Sequence, residues 1–164
     1  MVKKFLFDDY VNDAVRILII ANAVKNSKKA IKLTEYRIRL YDYYLRFPHT
    51  MFNGIATGED LRDNFDEYYA FFHWKPDIVK YNQSINFMIA KGLLHKSLED
   101  NDVLYEIAGK GIEALGKFDS MYKQRLVSLS ALMIKEVSKH SDSKIDEEIK
   151  RKSNILARKS EVLQ

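Results

Sequence analysis

The sequence predicts a mainly α (α+β) fold: a winged helix-turn-helix core with a two-stranded wing, an aromatic insertion and long C-terminal helices. Three observations carry this reading. Only 6 Gly and 2 Pro punctuate the 164 residues, too few for the many turns of a sandwich or barrel. Apolar residues recur at helical spacings over long stretches. Residues 93–107 alone switch to the pattern of two short strands around a polar turn. The chain divides into a winged-helix domain over residues 1–140, with the insertion at 48–76, and a C-terminal helical tail over 141–164.

A first helix is expected to open at Asp8 or Asp9, with Val11, Ala14, Val15 and Leu18 at helical spacing and Ile17, Ile19 and Ile20 widening its apolar face. After Asn26-Ser27-Lys28-Lys29, the residues Ala30-Ile31-Lys32-Leu33 form a short extended segment. Thr34 is the N-cap of the next helix, and Leu33 and Ile38 are spaced as a hydrophobic staple. That helix carries Ile38, Tyr41 and Leu45 and stops before Pro48. The insertion reads as irregular and holds Phe52, Phe65, Tyr68, Tyr69, Phe71, Phe72 and Trp74.

A third helix starts behind Pro76-Asp77, places Ile78, Tyr81, Ile85, Met88 and Ile89 on one face, and ends at Gly92. Leu93–Leu98 and Val103–Ile107 are strands around the four-residue turn Glu99-Asp100-Asn101-Asp102. One long helix is expected from Gly111 to about Lys139. Its middle, Leu126–Ile134, is apolar on nearly every side, so it packs against the aromatic insertion or against another subunit. His140–Ser143 breaks the pattern, and Ser143 with Asp146 has capping-box spacing for a final helix in which Ile149, Leu156 and Leu163 recur every seven residues. The order helix, helix, hairpin, helix is that of a winged helix-turn-helix.

Zero cysteines remove disulfides and thiolate chemistry and fit a cytoplasmic protein. Asp8 and Asp9 stand where a signal peptide needs an apolar run, and no stretch has the length of a membrane span. The net charge is +4, distributed unevenly: residues 1–46 carry ten Lys/Arg against five Asp/Glu, whereas residues 47–78 carry two against six.

No enzyme constellation is visible. His49, His73, His95 and His140 are scattered, with no i,i+4 pair and no His-Glu-x-x-His. Gly109-Lys110-Gly111 lacks the upstream glycine and the Ser/Thr of a phosphate-binding loop. Adjacent carboxylates such as Asp8-Asp9 and Glu147-Glu148 suit helix first turns. Neither a cofactor nor a metal is expected.

DNA is the strongest functional temptation, because a winged helix presents its third helix to the major groove. That helix offers Asn82, Gln83, Ser84 and Asn86 but little charge beyond Lys80 and Lys91, and the wing turn sets three acids where phosphates would lie. If nucleic acid is touched, Lys25, Lys28, Lys29, Lys32, Arg37, Arg39 and Lys80 are the candidates; the plainer reading is that such charges solvate a surface. The aromatic runs at 41–44 and 68–74 lie in acidic surroundings and read as core or protein interface rather than base-stacking platforms.

Arg16-Ile17-Leu18-Ile19-Ile20, Leu40-Tyr41-Asp42-Tyr43-Tyr44-Leu45 with its central Asp, Lys91-Gly92-Leu93-Leu94 and Leu104-Tyr105-Glu106-Ile107 follow one another in an order with a precedent. Over roughly residues 10–140 the chain resembles the middle component of ABC-three-component systems, the small winged-helix subunit of Lamassu-type bacterial anti-phage defence. It departs from that pattern at Asp42-Tyr43-Tyr44-Leu45-Arg46-Phe47-Pro48, where the family usually has Asp-Tyr-Leu-Leu and a polar stretch. The resemblance implies a non-catalytic adapter that sits on an SMC-like ABC ATPase and couples it to an effector subunit of nuclease type, with DNA reached through the complex. On this reading the tail stripe Ile149, Leu156 and Leu163, or the wing from Leu98 to Val103, docks the ATPase. A homodimer through Leu126–Ile134 fits the alternative, a winged-helix transcriptional regulator, and a hydrolase using His73 lacks any motif. Tail docking predicts that alanine at Ile149, Leu156 and Leu163 together abolishes complex formation in a co-purification assay; an intact complex rules it out.

Overall fold

Short polar side chains start the helices where the sequence places them. The Thr34 hydroxyl accepts from the Arg37 N–H at 3.1 Å, and the Asp77 carboxylate accepts from the Lys80 N–H at 3.1 Å, each satisfying a donor that has no partner within its helix. The computed structural model describes residues 2–52 and 77–162, with side chains over 11–52 and 77–154. In chain order these form α1 (Val2–Asn26), α2 (Glu35–Arg46), α3 (Pro48–Met51), α4 (Ile78–Ala90), β1 (Leu94–Glu99), β2 (Asp102–Ile107), α5 (Gly109–Lys117), α6 (Met121–Glu136) and α7 (Asp142–Val162). The chain is mainly helical, with one two-stranded antiparallel sheet among the described residues.

Helix α1 is the hub. It packs against α2, α4, α5, α6 and β2, and Ile17 and Ile20 meet Ile38, Tyr41, Met88, Ile107 and Met133 in a core from which water is excluded. Leu33 and Ile38, the staple pair, are both buried. The extended residues before α2 run beside the hairpin, where the Tyr105 N–H donates to the Leu33 carbonyl at 2.9 Å. Gly92 takes φ +73°, the left-handed conformation that ends α4 and turns the chain into β1.

Several boundaries differ from expectation, each for a local reason. Helix α1 begins at Val2 rather than Asp8 or Asp9, since Val2–Phe7 holds no Pro or Gly to stop helix propagation. The insertion opens with a helical turn, Pro48–Met51, because proline's fixed φ suits a first helical position. The aromatic residues Phe65 to Trp74 lie outside the described residues, as does Leu163. Ile78 is 51% exposed instead of sharing the buried face of α4, since it stands in the first turn, beyond the edge of the core.

The wing turn is tighter than the expected four residues. Asp100 and Asn101 alone form it, both at positive φ (50° and 67°), the backbone that matches the twist of the flanking strands. The long helix expected from Gly111 to Lys139 is two helices. Phe118 leaves the helical conformation (φ −95°, ψ 108°), and the Ser120 hydroxyl starts α6 afresh by accepting from the Lys123 N–H at 3.1 Å. Among the described residues its apolar middle packs on α1 and α2, with Leu126, Leu129 and Met133 buried; the insertion over 53–76 lies outside them. Ser141, not Ser143, caps α7, accepting from the Lys144 N–H at 3.3 Å.

Over its described part the tail helix is docked on the body. Ile145 is buried and Ile149 packs against the core, while α7 lies on α2 and α3 and the Tyr43 and Ser153 hydroxyls meet at 2.8 Å. Between α7 and the body lies a cavity of about 320 Å³ whose walls include Tyr44, Met51, Val137, Ile145 and Lys152.

Gly111 marks where α5 crosses the base of the hairpin. A Cβ there would overlap the Leu93 carbonyl oxygen and stand 2.8 Å from Ile107 Cγ1. Gly111→Ala is expected to lower stability by about 1–3 kcal/mol in urea unfolding. Gly109→Ala, whose Cβ meets nothing within 4 Å, leaves the midpoint unchanged or slightly raised.

Candidate functional site

Asp42 stands on the apolar stripe of α2 with Ile38, Tyr41 and Leu45, and its side chain is wholly buried. An isolated carboxylate there would be neutralised or expelled, so partners must come to it. Arg16 of α1 donates from Nε at 2.6 Å, Arg46 one turn along α2 donates from Nε at 2.8 Å, and the Tyr81 hydroxyl of α4 closes a short hydrogen bond to the same carboxylate. Asp13, one turn before Arg16, accepts from Arg16 and from Arg46 Nη2, the latter at 2.6 Å, and pairs with Lys80 at 3.4 Å. Three helices thus meet at one ionic knot.

The knot sets its own ionisation. Burial alone would raise the Asp42 pKa, but the Arg16 and Arg46 charges and the Tyr81 hydrogen bond outweigh it and hold the carboxyl below its ordinary value of 3.8. Tyr81 is pushed far up by burial and by the charge of Asp42, so it remains a neutral donor. The Arg16 guanidinium is destabilised by burial and more than restored by Asp42, leaving its pKa raised. Arg16 also reaches the Tyr122 hydroxyl at 3.5 Å, and the carboxylates of Asp13 and Asp42 are each shared between cations, an arrangement that suits holding helices together. Among the described residues no group of three His, Asp or Glu side chains could hold a metal ion.

Most of the basic residues singled out by charge pair with groups of the chain itself, although Lys25, Lys28, Lys29 and Lys32 stay exposed. Lys25 pairs with Glu106 at 2.8 Å, and Lys32 with Asp100 at 2.9 Å. Lys29 Nζ donates to the Ile134 carbonyl at 2.9 Å and to Ser138 Oγ at 3.1 Å, at the C-terminus of α6, where a cation complements the helix dipole. Arg37 binds Asp142 at 2.5 Å and the His140 carbonyl at 3.1 Å, and Arg39 pairs with Glu35 at 2.8 Å. Lys28 is exposed, and Lys80 belongs to the rim of the knot. Four of them, Lys25, Lys29, Lys32 and Arg37, latch the α1–α2 segment to β2, α6, the wing turn and α7.

The wing residues come together instead. Leu98 and Val103 are directly opposed across the hairpin, and they remain 73% and 37% exposed. On α4, Val79 and Phe87 are exposed beside the amides Asn82, Gln83 and Asn86. Of the tail candidates, Ile149 is occupied by the chain's own core, and the side chains of Leu156 and Leu163 lie outside the described residues.

Over residues 6–159 the chain matches the family described as ABC-three component (ABC-3C) system Middle Component 2. It belongs to that family. No curated protein and no solved structure matches it. An ABC-3C middle component is one part of a system of several components, and in this one both Arg16 and Asp42, which carried the sequence resemblance, form the ionic knot.

The knot was missed as a unit because its members lie 26 and 39 residues apart in pairs with Asp42. The available signal was local: an acid on an otherwise apolar helix stripe requires a buried cation. Asp42→Asn leaves Arg16 and Arg46 to share the single carboxylate of Asp13 and is expected to cost about 3–5 kcal/mol in urea unfolding. Because the folded-state pKa of Asp42 is depressed, its contribution is complete above the ordinary value of 3.8 and is lost as pH falls through the lower folded value. The wild type should therefore lose stability on acidification below about pH 4, and Asp42→Asn should flatten that limb of the curve.

Proposed function

We propose that this ABC-3C middle component is a non-catalytic adapter of a bacterial anti-phage defence complex of Lamassu type. Its fold is a winged helix, with α2 and α4 as the helix-turn-helix pair and β1–β2 as the wing. It binds an SMC-like ABC ATPase and couples it to an effector subunit of nuclease type, in the cytoplasm. The family membership over residues 6–159 carries the reading. Two further features support it: the wing turn ends in acids rather than phosphate-binding cations, and the buried carboxylate of Asp42 is held by Arg16 and Arg46 as a structural tie between helices. An adapter needs rigid surfaces, and helices tied at a buried ion pair supply them.

The exposed amides of α4 favour a second reading, a DNA-binding regulator, since Asn and Gln read adenine edges. The two separate in one experiment. The tagged chain is purified from cells expressing its whole operon, and the material is sized and identified by mass spectrometry. A large ABC ATPase in stable association is the expected result. A protein that emerges alone as a dimer with a specific DNA fragment, released with a steep salt dependence that Lys80→Ala flattens, overturns the adapter reading.

A further inference from the structure

We infer that the tip of the β1–β2 hairpin is a docking knob for a partner protein that presents an apolar socket lipped by Lys or Arg side chains. The inference rests on the adapter reading and assigns its contact. Side chains alternate along a strand, so Leu94, Lys96 and Leu98 share one face of the hairpin with Ile107, Tyr105 and Val103. At the base, Leu94 and Ile107 are 1% and 0% exposed; Lys96 and Tyr105 follow; at the tip, Leu98 and Val103 are 73% and 37% exposed. The face that seats the hairpin on the core therefore runs past the edge of the body, through the exposed Lys96 beside Tyr105, and ends in an uncovered apolar pair. Because the two lie side by side at the end of that face, covering them with a partner's apolar surface would remove both from water.

Charge selects among occupants. Beyond the apolar pair the hairpin closes through Glu99, Asp100, Asn101 and Asp102. Lys32 neutralises Asp100 at 2.9 Å, whereas Glu99 and Asp102, the last register pair, carry no salt bridge among the described residues. A nucleic acid would meet carboxylates where it needs cations. A second copy meeting tip to tip about a two-fold axis would set acids against acids. A basic-lipped socket meets both features at once, with the apolar pair supplying affinity and the two carboxylates supplying register and salt-dependent association.

The test uses the full chain co-expressed with its operon, comparing the wild type with Leu98→Ser and with the double variant Glu99→Lys/Asp102→Lys. All of these sites are exposed, and unchanged thermal melting verifies that each variant is folded. A photo-crosslinking amino acid at position 98 reports the neighbour. Leu98→Ser and the charge reversal are each expected to weaken retention of the partner component by about tenfold or more. The wild-type association should weaken as salt is raised, and the crosslink should map to a surface segment bearing Lys or Arg. If the wild type co-purifies its partner but both variants retain it within about twofold, the knob is wrong while the adapter reading stands. If no component accompanies the wild type, the adapter reading itself falls. A crosslink between two copies of this chain, or to nucleic acid, overturns the inference in favour of that occupant.

Discussion

A carboxylate without solvent, placed in the middle of α2, is the constraint around which the described structure is organised. Asp42 is tolerable only if Arg16, Arg46 and Tyr81 reach it together, and those residues belong to α1, α2 and α4. The ionic contacts therefore fix a rotation and a translation of each helix relative to the others, which an all-apolar contact would leave freer to slide. The surrounding aliphatic and aromatic residues supply most of the favourable burial, and the knot supplies geometric uniqueness.

The other charges extend the same logic to the surface. A surplus of Lys and Arg near the N-terminus could have made a phosphate-binding face. Instead Lys25, Lys29, Lys32 and Arg37 each reach a carboxylate or a helix-end carbonyl on a distant element. Exposed pairs of this kind contribute little energy individually. The overall +4 is thus a poor guide to partners in this protein. The contrast between hairpin and tail is more informative. Both have narrow apolar stripes; the tail lays Ile145 and Ile149 on its own body, whereas the hairpin carries Leu98 and Val103 away from it.

The sequence by itself determined whatever depends on neighbours a few residues apart. Thr34 and Asp77 announce helix starts because a short side chain can satisfy only the N–H groups just ahead of it, and Gly92 announces an end because it alone accepts positive φ without strain. The hairpin follows from alternation flanking residues that tolerate a left-handed turn, and membership of the ABC-3C family follows from the order of such signals along the chain. Local signals also misled where two competed: the apolar stripe running through Phe118 hid the break that Ser120 caps, since periodicity persists across a short kink. The tertiary structure alone decided that, among the described residues, α6 packs on α1 and α2, which partners the basic residues find, and which apolar stripe stays bare. These outcomes depend on side chains brought together from sequence separations of 26 to 106 residues, and no local pattern encodes which distant surface a stripe or a charge will meet.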